Sequence, residues 1–214
     1  MTKSKIISFC MATLLAFTLP TTVYASSTPF TDISDVGAKD MILSLQEEGY
    51  VKGIGDNLFA PNRSMTIAEG VQLIVNTLQL NIDTICFVKK PQATDFFTKA
   101  DNNAWYADAF IIAACNDLAL PRDLDPNAVW TRQEFTNQLV TAMEQYGNLP
   151  KMKMIGVTIT DQENIDVSCS GAIQRALVYN VVTLDAQGNF HPLDPVTRAE
   201  AAEMIFHALE CLGS

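Results

Sequence analysis

The sequence predicts a mainly α-helical protein built from three helix–loop–helix repeats, packed as a pseudo-threefold helical domain. Two observations carry this. Met65-Thr66-Ile67-Ala68-Glu69 returns as Trp130-Thr131-Arg132-Gln133-Glu134 and as Val196-Thr197-Arg198-Ala199-Glu200, at steps of 65 and 66 residues. Upstream, Phe30-Thr31-Asp32 returns as Ala93-Thr94-Asp95 and Ile159-Thr160-Asp161, at steps of 63 and 66. Two separate landmarks that keep one period mark an internal repeat.

The chain opens on an address. Lys3 and Lys5 form a basic start, an apolar stretch runs from Ile6 to Leu19, and Val23-Tyr24-Ala25 precedes an expected cut. This is the layout of a secretory signal peptide, residues 1–25. The stretch is short for a membrane span, which needs about 20 apolar residues. Cys10 sits too early for a lipidated cysteine at the cut. The expected product is exported and free of the membrane after signal cleavage.

Once the signal lysines leave, 12 basic residues face 24 acidic ones, a formal charge of −12. That balance argues against nucleic acid and against an anionic membrane face. An anionic ligand would have to be caught by a few placed arginines. Cys86, Cys115, Cys169 and Cys211 remain, without a CxxC pair or zinc spacing. They read either as small buried hydrophobes with at most one disulfide or as two disulfides, in any of three connectivities.

The three units span residues 26–84, 92–148 and 156–214. Each Thr-x-x-Glu reads as a capping box: Thr accepts from the amide three residues on, and Glu reaches back to the Thr amide. Apolar residues follow at eight, nine and twelve positions past each Thr: Ile74, Val75 and Leu78; Leu139, Val140 and Met143; Ile205, Phe206 and Leu209. That spacing lines one face of a helix. A shorter helix precedes each loop, through Met41, Ile42 and Leu45, through Phe110, Ile111 and Ala114, and through Ala172, Ile173 and Ala176. The loops between are rich in Gly, Asn, Asp and Pro, which set turns. Phe59 and Phe190 are expected to plug the core beneath them, and the second loop, 121–127, has no Phe. Asp32, Asp95 and Asp161 are expected to bridge loop amides. One unit is too small to bury a core alone. The expectation is therefore one compact domain, with a linear solenoid as the alternative. Residues 147–155, with Gly147 and Pro150, read as an exposed linker.

At these residues the chain resembles the S-layer homology repeats. The family unit carries F-x-D near its start, a Trp before the first helix, a D-G-x-F-x-P loop and T-R-A-E at the second helix. This chain shows Phe30-Thr31-Asp32, Gly53-Ile54-Gly55-Asp56-Asn57-Leu58-Phe59-Ala60-Pro61 and Thr197-Arg198-Ala199-Glu200. The resemblance implies a non-covalent cell-wall anchor that holds an anionic, often pyruvylated, secondary cell-wall polysaccharide in grooves between repeats. It implies a location at the cell wall or S-layer, and other envelope or S-layer proteins as further partners. The departures are clear. The motif Arg is present as Arg132 and Arg198 but is Ile67 in the first unit. The Trp is present only as Trp105, with Gly37 and Ser168 near the matching positions. At most two grooves then keep the basic residue.

The candidate glycan-binding residues are Arg198, Arg132, Trp105, Thr197, Thr131, Glu200 and Glu134. Capping alone accounts for the threonines and glutamates. A cap does not require Arg at the first helical position, where a cation is mildly unfavourable. An anion held by the helix amides and the Arg fork would reverse that, and an ion pair with a neighbouring carboxylate is the plainer alternative. Trp105 and Tyr106 could stack on a sugar or belong to the core. Asp123 to Glu134 imitates a calcium loop but has Ala128 where Gly is needed. His191 and His207 lack a third metal ligand, no catalytic signature is present, and no cofactor is expected. The reading is a wall-anchoring module and not an enzyme. The alternative is a repeat scaffold that has lost glycan binding and serves as an envelope protein-interaction or structural subunit.

Overall fold

The computed structural model describes residues 28–147, 149 and 155–213. The expected signal peptide and most of the 147–155 linker lie outside the described residues. In chain order the helices are α1 (Lys39–Glu47), α2 (Ile67–Thr77), α3 (Ala93–Phe96), α4 (Ala107–Cys115), α5 (Arg132–Tyr146), α6 (Val167–Val178) and α7 (Arg198–Leu212), with a 3-10 turn at Gln162–Asn164 before α6. Among the described residues there is no sheet, only isolated bridges.

The three capping boxes form as the sequence demands. Thr66, Thr131 and Thr197 accept from the amides of Glu69, Glu134 and Glu200 at 3.3, 3.4 and 3.2 Å. The glutamates accept from the threonine amides at 3.0, 2.9 and 2.8 Å. Each such cap contributes about 1 kcal/mol. The helices α1, α4 and α6 all stop on a left-handed residue: Gly49 (φ 82°), Asp117 (φ 52°) and Asn180 (φ 58°). The residue after each then folds back onto the helix, Tyr50 to Leu45 at 2.9 Å, Leu118 to Ala113 at 3.0 Å and Val181 to Ala176 at 2.9 Å.

The residues just before the caps close a ring. Met65 N–H donates to Val196 at 2.9 Å, Val196 to Trp130 at 3.0 Å, and Trp130 to Met65 at 3.3 Å. The first two amides of each long helix also donate across units. Ile67 and Ala68 reach Ala128 and Pro126, Arg132 and Gln133 reach Asp194 and Pro192, and Arg198 and Ala199 reach Arg63 and Pro61, all at 2.8–3.0 Å. So α2 starts on the second loop, α5 on the third and α7 on the first. This cycle closes the molecule and replaces the solenoid alternative.

Helix packing follows the same cycle. The long helices α2, α5 and α7 meet one another at the centre. Around them α2 packs on α4, α5 on α6 and α7 on α1. Each long helix therefore leans on the first helix of another unit, while the two helices of one unit do not pack together. One continuous core results, with Phe59, Phe110, Phe135 and Phe190 fully buried. The two loop phenylalanines are the expected plugs, and Leu124, also buried, takes their place in the second loop.

Candidate functional site

Two grooves between units sit at equivalent positions, offset by 131 residues. The first, about 480 Å³, lies where α7 meets the first loop and is lined by Arg198, Lys52, Glu69, Gln72, Asn76 and Trp105. The second, about 300 Å³, is lined by Arg132, Thr183, Glu200, Glu203, His207 and Asp185 among others.

Arg198 is built into its groove. Its guanidinium lies 4.6 Å from the centre of the Phe59 ring. Nε donates to the Phe59 carbonyl at 2.8 Å, Nη2 to the Lys52 carbonyl at 2.8 Å, and Nη1 faces Glu69 at 3.4 Å. Glu69 is held from the other side by Arg63. Burial raises the Glu69 carboxyl, but Arg63, the Thr66 amide and Arg198 outweigh it and hold the group below the usual carboxylate range. Arg132 repeats the pattern more loosely: 5.2 Å from the Phe190 ring, 3.1 Å from Glu200 and 3.4 Å from the Thr183 carbonyl. Its Nε is buried without a hydrogen-bond partner, where Arg198 has the Phe59 carbonyl. At the third interface the corresponding residue, Ile67, is buried, as is Leu124 in the loop. An apolar pair replaces cation and ring there.

These contacts correct one expectation. The amides at the three helix starts do not wait for an anion: two donate to loop carbonyls and the third to the cap threonine. Both arginines are ion-paired, as the plainer alternative had it. Thr131, Thr197, Glu134 and Glu200 are committed to caps, and only Glu200 among them also lines a groove.

The two aromatics separate. Tyr106 is buried and packs on Phe110 at 4.8 Å. Trp105 is 64% exposed and packs against Tyr106 with the two rings near perpendicular, at 85°. It stands across the groove from Arg198, whereas Arg132 lies in the other groove. The sequence pairs neither arginine with Trp105. The period of the repeat says which residues are equivalent, not which units share a wall.

Sequence reasoning missed Lys52, Gln72 and Asn76. Lys52 has no carboxylate within 4 Å among the described residues. Gln72 donates to Asn76 at 2.8 Å along the outer face of α2. The only signal for Gln72 and Asn76 was their position six and ten residues past Thr66, on the side of the helix away from the apolar stripe, and Lys52 had none.

Asp32 clamps the first loop by accepting from Phe59 and Ala60 at 2.8 and 2.7 Å, and Asp161 does the same to Phe190 and His191 at 2.8 Å each. Asp95 departs from this expectation. It accepts from Gln92 at its own helix start instead, because the shortened second loop offers no matching turn. The cysteines, for which disulfides stood open, are all free thiols. Among the described residues no group of His, Cys, Asp or Glu is placed to hold a metal ion, and no helix is long and apolar enough to cross a membrane.

The molecule is thus a closed helical repeat with charged grooves between its units. The family model of the S-layer homology domain matches residues 29–69 and 158–202, the first and third units. The first and third units are S-layer homology repeats by this match. It is 28% identical over 194 residues to exoglucanase XynX of Acetivibrio thermocellus, covering 89% of this chain and 17% of that one. It is 29% identical over 188 residues to an amylopullulanase of Thermoanaerobacterium thermosulfurigenes, covering 86% and 10%. It is 25% identical over 194 residues to the surface-layer 125 kDa protein of Lysinibacillus sphaericus, covering 87% and 15%. The chain thus spans a small fraction, 10–17%, of the length of these relatives. S-layer homology domains anchor surface proteins to the cell wall, which puts this chain at the cell surface.

Proposed function

We propose that this chain is a non-catalytic wall anchor that holds an anionic cell-wall polysaccharide, a pyruvylated one fitting best, in the groove of Arg198 and Trp105. The observation that carries this is an exposed indole lining the same groove as Arg198 and Lys52. An exposed Trp loses water-excluding contact with its own protein and regains it by stacking on the apolar side of a sugar ring. Lys52, unpaired, supplies the mobile charge for a carboxylate, and Arg198 shapes the wall beside it. Gln72 and Asn76 offer amides to sugar hydroxyls. Residues 26–214 should pellet with purified sacculi and stay in solution when the non-peptidoglycan polysaccharide is stripped. Trp105→Ala should lose pelleting at least tenfold with only a small change in Tm, because the indole is 64% exposed and its one aromatic contact with the core is Tyr106. Arg198→Ala is the poorer probe, since it leaves the Phe59 and Lys52 carbonyls without their donor and removes one of the cations on Glu69. Full pelleting by folded Trp105→Ala would sink the assignment of this groove.

The alternative, a protein-binding role at the envelope, has its own support. Ile85, Phe87 and Val88 are exposed together on the 81–91 connector. They adjoin an apolar hollow lined by Ile111 and Ile112. Co-purification with an envelope protein, without wall binding, is the outcome that reading expects.

A further inference from the structure

The two grooves share a scaffold but not a charge. The offset of 131 residues matches Lys52 with Thr183, Glu69 with Glu200, Gln72 with Glu203, Asn76 with His207, and Arg63 with Asp194. In the Arg198 groove, Lys52 and Arg198 against Glu69 leave a formal charge of +1, with Arg63 on the rim. In the Arg132 groove, one arginine faces Asp185, Asp194, Glu200 and Glu203, which leaves −3 while His191 and His207 are neutral. Glu200 is spent on its cap and on Arg132, and Asp185 is spent on loop amides and His191. Glu203 and Asp194 carry no such duty: among the described residues Glu203 has no cationic partner, and Asp194 is 73% exposed, with only His191 at 3.9 Å.

We propose that Glu203 and Asp194 are specificity-determining residues that close the Arg132 groove to anionic glycans, so that the chain holds one such ligand, in the Arg198 groove alone. This rests on the anchor reading above. Each net negative charge about 6 Å from a ligand carboxylate weakens binding about threefold in water, so a groove at −3 loses about thirtyfold, less at high salt. Rejection by like charge is a recognised route to specificity.

The substitutions that test this already exist on the scaffold. Glu203→Gln with Asp194→Arg copies Gln72 and Arg63 of the first unit into the third and brings the groove from −3 to neutrality. The Asp194 carbonyl that receives the Arg132 amide is backbone and is retained. The probe is a synthetic disaccharide bearing a pyruvate ketal, titrated calorimetrically into residues 26–214 at low salt, with its uncharged counterpart as control. The expected results are one site for the wild type, the same site at least tenfold weaker for Trp105→Ala, and for the double variant a second site at least tenfold weaker than the first, because the Arg132 groove is lined by no Trp. That second site should persist when Trp105→Ala is added. Two sites in the wild type would overturn the proposal, as would a folded double variant that still shows one. A wild type that binds no ketal-bearing sugar would overturn the anchor reading and this inference with it, whereas the other failures leave the anchor reading standing.

Discussion

At the scale of single residues, the ring at the centre is paired by size. Trp130 is much larger than its counterparts Met65 and Val196, and it is accommodated by Gly70 on the facing helix. A β-carbon at Gly70 would stand 2.3 Å from the indole, whereas the equivalent positions hold Phe135 and Ala201. Gly in a helix interior costs about 1 kcal/mol against Ala, so propensity alone predicts that Gly70→Ala stabilises. Overpacking a filled core costs about 1–3 kcal/mol, and the indole has no open side to move into. Gly70→Ala should therefore lower stability by about 1–2 kcal/mol in urea melts, and pairing it with Trp130→Met should recover most of the loss. A more stable single variant would show that the indole moves freely. The sequence showed Gly70 only as a helix breaker in a helical pattern. What made it necessary was a residue sixty positions away, which no periodicity could reveal. The caps were legible because their partners lie three residues apart. Arg132 and Arg198 were legible as out of place at a helix start, but not as stacked on loop phenylalanines of another unit.

At the scale of elements, the first and third loops are each tied down by one carboxylate, Asp32 and Asp161, and the third carries a second device. Asp185 accepts from the Gln187 and Asn189 amides and meets His191 at 2.8 Å. The hydrogen bond to Asp185 raises the His191 imidazole above its ordinary value against the opposing pull of burial, with Asp194 and Asp161 adding to the rise. A base whose folded value is raised stabilises fully below the unfolded value of about 6.5 and loses that stabilisation as pH climbs through the folded one. His191 also holds a left-handed backbone (φ 58°), which Asn adopts more readily than most residues. His191→Asn should therefore cost Tm at pH 5.5 and cost less at pH 9. A gap between wild type and variant that is equal at both values would remove His191 from the pH response. The loops were legible as loops from Gly, Asn and Pro. Their clamps were legible where F-x-D was followed by a full-length loop, as at Asp32 and Asp161. The clamp failed at Asp95, where shortening the loop removed the amides it would have met.

At the scale of the whole molecule, the repeat is a unit of sequence but not of folding. The two helices of each unit turn away from each other and onto other units, and each long helix takes its first two amide acceptors from another unit's loop. The period showed three copies and the spacing of apolar residues showed their apolar faces. Neither says whose face meets whose, so ring and solenoid stood open until the Met65–Val196–Trp130 cycle settled it. The consequence is testable with the third unit alone, residues 155–213. In isolation α6 would expose Ala172 and Ile173 and α7 would expose Ala201 and Ile205, all buried in the whole chain. The starting amides of α7 would lose Arg63 and Pro61. Isolated helices of about 15 residues or fewer are marginal in water, so the fragment should show little helix by circular dichroism and no cooperative melt. Adding residues 28–147 should restore helix in a saturable manner, because that partner carries α1, α5 and the first loop, which α6 and α7 lack. The intact chain should melt in one transition. A lone fragment that is helical and melts cooperatively would mean that a unit's own two helices can shelter each other, and the exchange of partners would then be an arrangement of convenience rather than the condition for folding.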